Sequence, residues 1–131
     1  MRLWHEKLLP SLPRQQLLGQ HRECCALRGN GWGKSHSVVN YVFQYSIERL
    51  WFYHLQVMSE MQSRGYNPEI CWFDPGYRGK SALAFEPDCR EILRLKKEKD
   101  MGLVGYPEHN NDYLADCLLN LKRKEINLFV P

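Results

Sequence analysis

Several features that would announce a function are missing from this chain. It has no C-x-x-C, so the common zinc pattern and the thioredoxin-type redox pair are both absent. It has no H-E-x-x-H either. No apolar run approaches the roughly 18 residues that a membrane-spanning helix needs. The opening stretch "MRLWHEKLLPSLPR" lacks the apolar core of a signal peptide, which makes a cytoplasmic location the default expectation. Neither an internal repeat nor a low-complexity tract nor a linker interrupts the chain. Charge of one sign is not in large excess. The net charge of +3 permits a nucleic-acid partner without demanding one. The five cysteines are odd in number and unevenly placed, which argues against a disulfide framework and for buried, reduced thiols.

What is present describes an ordinary folded protein. A length of 131 residues suits one domain, 1–131, around one core. With 44% hydrophobic and 25% charged residues, the chain can bury that core and keep a solvated surface. The patterning is helical and predicts an all-α, compact single domain of three to four main helices with long irregular connections. "SLPRQQLLGQHRECCALRGNG" reads as the first helix, with Ser11 available to cap it, Pro13 in its first turn and Gly29 at its end. At 100° per residue, Leu17, Leu18, His21, Cys24 and Cys25 share one face. Gln15, Gly19, Arg22 and Ala26 lie opposite, with Glu23 on the shoulder, so Arg22 and Glu23 are expected to point away from the core.

"SIERLWFYHLQVMSEMQSRG", 46–65, is the clearest helix, capped by Ser46 and closed by Gly65. Its apolar line runs Ile47, Leu50, Trp51, His54, Leu55, Met58, Met61, as a central helix should. Residues 66–85, rich in Gly, Pro and aromatics, form a long connection with at most short strands. "EPDCREILRLKKEK" and "DYLADCLLNLKRK" supply two further helices, the last capped by Asn110 or Asn111.

Four motifs bear on chemistry. "RGNGWGKS" ends like a phosphate-binding loop, but the first glycine of G-x-x-x-x-G-K-[ST] falls on Arg28. Its glycines still offer backbone N–H groups to a phosphate, or simply make a turn. The histidines are spread out, and a metal site would have to be assembled from distant segments, for instance around Glu108 and His109. His21 lies three residues before Cys24, a conceivable Cys-His pair, although a buried thiol without a positive neighbour is inert. Finally, Arg22-Glu23 is either a solvated helix face or a polar catalytic one.

"QQLLGQHRE" and "YVFQYSIERLWFYHLQVMSEMQSRGYN" resemble the pyrimidine-dimer DNA glycosylase family, the small phage endonuclease V type. The resemblance covers residues 8–68, and the chain is also similar to a bacterial branch beginning M-R-L-W-H. It implies an all-helical N-glycosylase and abasic-site lyase that acts on damaged or abasic duplex DNA without metal or cofactor. In that family the N-terminal α-amine attacks C1′ of the damaged nucleotide, forming an imine and releasing the base. A glutamate, carried over as Glu23, then assists strand cleavage, and Arg22 contacts the phosphate or the damaged strand. Residue 2 is Arg, so either Met1 or Arg2 would supply the amine, and a second family arginine falls on Ala26. The expected DNA contacts are Arg22, Arg28, Gly31, Lys34 and Gln15. Two other readings stay open: a non-catalytic nucleic-acid-binding module on the same fold, and a metal- or thiol-dependent enzyme using His5, His21, Cys24 and His109.

Overall fold

The computed structural model describes residues 2–34, 38–103 and 105–128. Among these residues there is no strand. Four α-helices follow one another: α1 (Arg14–Arg28), α2 (Ile47–Ser63), α3 (Cys89–Asp100) and α4 (Asn111–Lys122). Short 3₁₀ turns at Glu6–Ser11, Asn40–Gln44 and Ile70–Phe73 punctuate the connections.

α2 forms where the sequence sets its ends. The Ser46 hydroxyl accepts from the Arg49 N–H at 3.2 Å, satisfying one of the donors left free in a first turn. Gly65, at φ 84°, adopts the left-handed conformation that stops the helix at low steric cost. Its buried set differs from the expected line: Tyr53 and Val57 join Leu50, Trp51, His54, Met58 and Met61, while Ile47 and Leu55 are only half-buried. The physical reason is that α2 is covered from two sides, by α1 and by α3 together with the first 3₁₀ turn. α4 begins as expected, with the Asn110 side chain accepting from Tyr113 N–H at 2.9 Å.

The start of α1 differs from expectation. Pro13, not Ser11, occupies the cap position, and Ser11 ends the preceding 3₁₀ turn. No side chain caps this helix. Pro13 sets the φ at its start, and the Leu12 carbonyl just before it accepts from Arg64 Nη1 of the α2 end at 2.7 Å.

Leu17, Cys24 and Leu27 of α1 meet Leu50, Tyr53, Val57 and Met61 of α2, and Cys117 and Leu121 of α4 join the same core. Each fully buried leucine contributes on the order of 1.5–3 kcal/mol, so this seam fixes the rotation of α1 about its axis. That rotation decides what the polar residues of α1 face.

Candidate nucleic-acid site

Glu23 is not on the solvent side of α1. It is 3% exposed, which corrects the expectation that it points outward beside Arg22. Its place on the helix shoulder left its fate to whatever packs there, and the segment before the first 3₁₀ turn does so. Leu3, Trp4 and His5 of that segment are all buried. Beside them opens a cavity of about 500 Å³ lined by Arg2, Trp4, Gln15, Gly19, Gln20 and Glu23, with Asn120 and Lys124 also on its wall. The Glu23 Oε2 atom is buried and has no hydrogen-bond partner among the described residues. A buried carboxylate oxygen is costly to leave unpaired, so an unpartnered one on a residue that lines a cavity is a functional signal.

The chain's beginning is tied down without any secondary structure. Gln20 Oε1 accepts from Trp4 N–H at 2.6 Å, and Gln20 Nε2 donates to the Arg2 carbonyl at 3.2 Å. The Tyr53 hydroxyl lies 2.6 Å from the Trp4 carbonyl and 3.0 Å from Gln20 Oε1. Tyr113 of α4 donates to the Leu3 carbonyl. Arg2 pairs with Asp116 of α4 at 2.8 Å. Burial works most strongly against the Arg2 charge, and the Asp116 bond together with Cys117 and Tyr113 more than offsets it, so its pKa is raised. Arg2 and Lys124 both approach the Trp4 ring, at 5.7 and 5.5 Å from its centroid, so the cavity carries two cations opposite one carboxylate.

The other expected contacts divide. Arg22 and Lys34 are exposed, and Gln15 is exposed at the cavity mouth. Arg22 lines an adjoining depression that shares Gln15 and Gln16 with the cavity. Arg28 is a correction. It is fully buried, and its guanidinium donates to the carbonyls of Trp72, Asp74 and Tyr77 at 2.8, 2.9 and 3.1 Å and to His54 Nδ1 at 2.8 Å. It organises the 66–85 connection and does not reach DNA. Gly31 is a second correction. Its N–H donates to the Ala26 carbonyl at 2.9 Å, and a Cβ there would lie 2.7 Å from that oxygen. The glycine loop closes the end of α1, so this N–H is already used. Met1 lies outside the described residues.

A second polar cluster sits on the other side of α1. His21 Nδ1 and His54 Nε2 are 2.8 Å apart, and Cys25 Sγ is 3.8–3.9 Å from both rings. Among the described residues this is the group of His, Cys, Asp and Glu whose ligand atoms converge as a metal site would need. Arg28 decides its state. Burial, then the Arg28 charge, holds His54 well below the ordinary histidine range, so the ring is neutral. Arg28 donates to its Nδ1, which leaves the proton on Nε2, directed at His21 Nδ1. Ligation through His54 Nε2 would turn an Nδ1–H toward a guanidinium N–H, donor against donor. The cluster therefore fits a hydrogen-bond chain better than a metal centre. Burial also pushes the Cys25 thiol up to about 12, which keeps it protonated.

The residues expected for a metal- or thiol-dependent enzyme do not assemble. His5 stacks on His109 with centroids 5.7 Å apart, His21 pairs with His54, and Cys24 is fully buried with its pKa raised by burial. Sequence reasoning missed Gln20, Trp4, Tyr53, Asn120 and Lys124. Lys124 was visible only as part of a basic run, with nothing to tie it to α1. Gln20 lies within "QQLLGQHRE" but on the apolar side, where an amide carries no pattern.

A family model described as pyrimidine dimer DNA glycosylase matches residues 1–74, which include α1, α2 and the N-terminal wall of the cavity, and the chain belongs to that family. Its function is thereby of the DNA-glycosylase repair type, and its substrate is DNA. No curated protein and no solved structure matches the chain. No helix of the described residues is long and apolar enough to cross a membrane.

Proposed function

We propose that the protein is an N-glycosylase and abasic-site lyase that works through an N-terminal α-amine and Glu23. One observation carries the reading: Glu23, whose Oε2 atom is buried without a partner, lines the same cavity as Arg2 and Trp4, the residues that lead to the chain's start. An α-amine suits the task, because its pKa near 7.7–8.0 leaves about 10–15% of it neutral at pH 7, against well under about 0.1% for a lysine near 10.4.

The steps follow from the groups present. The neutral amine attacks C1′ of an extruded nucleotide, and the bond from C1′ to the base breaks, with the base leaving as it takes up a proton. Opening of the sugar C1′–O4′ bond gives an imine. Glu23 removes the C2′ proton, and the electron pair expels the 3′-phosphate by β-elimination. Water then hydrolyses the imine and frees the amine. During attack the Glu23 carboxylate also stabilises positive charge developing on the sugar. Arg22 and Lys34 on the outer face of α1 and its following loop, with Gln15 at the mouth, hold the backbone of the DNA.

The test is borohydride trapping with abasic duplex DNA. A covalent protein–DNA adduct is expected, lost on acetylating the N-terminus. Glu23→Gln should slow strand cleavage by about 10²–10⁴-fold, the usual contribution of a general base. Absence of any adduct between pH 6 and 9 refutes the proposal. Tight, salt-sensitive binding with no adduct would instead identify a non-catalytic DNA-binding module.

A further inference from the structure

The cavity explains Glu23 but not the number of bonds that hold the chain's first residues. Termini are ordinarily poorly ordered unless something holds them. Here side chains from three helices, α1, α2 and α4, hold the backbone of residues 2–4. At the centre is Gln20, which is 2% exposed and spans Leu3 by gripping the carbonyl before it and the N–H after it.

We propose that Gln20 is the positioning residue for the reaction, a clamp that aims the N-terminal amine at Glu23; this rests on the imine reading above. Three features of the geometry support it. The carboxamide orientation is fixed by its partners: exchanging oxygen and nitrogen would set an NH₂ against the Trp4 N–H and an oxygen against the Arg2 carbonyl. Gln20 also stands three residues before Glu23, so both project from nearby positions on one rigid helix and both line the same cavity. Lastly, Arg2, whose carbonyl is gripped, directly follows Met1 in the chain, a step of about 3.8 Å from Cα to Cα. Whether Met1 or Arg2 begins the mature protein, its amine leaves from a backbone that Gln20 holds.

An amide is the one side chain of this length that does both jobs. A carboxylate at position 20 would repel the Arg2 carbonyl and add a second negative charge beside Glu23. A methionine would fill the space and hold nothing.

The test separates position from binding and from stability. Single-turnover borohydride trapping on abasic duplex is measured alongside the Kd for the same duplex. In Gln20→Met the trapping rate should fall about 10–100-fold, the scale of a misplacement near 1 Å, with Kd changed by less than about threefold. Gln20→Glu should fall at least as far. Tyr53→Phe, which keeps the ring and removes one partner of the clamp, should lose about threefold to tenfold by the same argument, and it serves if Gln20→Met does not fold. Val57→Ala, a core truncation in α2, should lower the Tm without slowing trapping in the folded protein. Wild-type trapping rates in Gln20→Met and Tyr53→Phe, a loss carried by Kd alone, or an equal loss in Val57→Ala would each overturn the clamp while leaving the imine reading in place. A wild-type protein that forms no adduct overturns both.

Discussion

Replacing Arg28 by methionine tests the buried guanidinium most directly. Arg28 makes four polar contacts through two nitrogens, three of them to carbonyls in the connection that follows α2. It also stacks on Trp72, 5.1 Å from the ring centroid. Methionine fills much of the volume and removes every donor, so the carbonyls of Trp72, Asp74 and Tyr77 lose their partners or turn toward water. The charge is not free to keep, since burial lowers its pKa to about 10. Some of what the bonds contribute therefore only offsets desolvation. The net loss should still be about 3–5 kcal/mol, from several hydrogen bonds to a charged group at about 1.5–3 kcal/mol each, less the desolvation recovered. That is a large part of the 5–15 kcal/mol, roughly, that stabilises a domain. The loss should be local first. Urea unfolding would register the drop, and hydrogen exchange should show peptides within 66–88 losing protection while those of α2 keep theirs. Lysine at this position should do little better, because a single ammonium cannot span three carbonyls and a ring nitrogen. A stability change under about 1 kcal/mol, with exchange in 66–88 unaltered, would show that these bonds do not hold the connection and that Arg28 does not organise it.

Two further expectations concern the same molecule under changed conditions. Burial, and secondarily His5, brings the His109 pKa down to about 3, against an ordinary 6.5. Between those values the unfolded chain binds a proton that the folded one refuses, so stability falls as pH falls. The His109 share between pH 7 and 5 is about 2 kcal/mol. Urea midpoints at both pH values measure it, and a His109→Gln variant should show a flatter profile. Thiol reactivity should follow burial: iodoacetamide should label exposed Cys89 in the native protein well before Cys25, whose thiol is held near 12, or the enclosed Cys24 and Cys117. Mass spectrometry of the peptides would report equal rates if that ordering is wrong.

The helices were legible because they are local. Ser46, Gly65 and Asn110 mark ends through contacts with residues a turn away, and those contacts recur in the structure. The apolar stripe of α1 was legible only in part. Leu17 and Cys24 are buried, but Leu18, His21 and Cys25 are half-buried, and the core-facing side turns toward Gln20, Glu23 and Leu27. Gln15, Arg22 and Ala26 are exposed as expected. What failed was everything settled by a distant partner. Periodicity put Glu23 on the shoulder of the outward face, and it is buried because the core-facing side of α1 is rotated toward it, where Leu3, Trp4 and His5 are also buried. Arg28 read as a surface cation because arginines usually are, and its carbonyl partners lie 44–49 residues further on. Gly31 offered an N–H that any loop glycine offers, until the chain turned back onto Ala26. Gln20 had no signal at all, since its role depends on backbone groups, which every sequence possesses.

The side-chain tethers on the first residues also set an order of events during synthesis. Leu3 and Arg2 leave the ribosome before any of their partners. Tyr113 and Asp116 come 110 and 114 residues later. At roughly 5–20 residues per second, that interval lasts about 5–20 s. Through it the nascent chain holds α1 and the carboxylate of Glu23 but lacks the lid of α4 that finishes the wall around them. The part of the protein made first is the part closed last, so a truncated chain that stops before α4 keeps the family's sequence motif without a completed site.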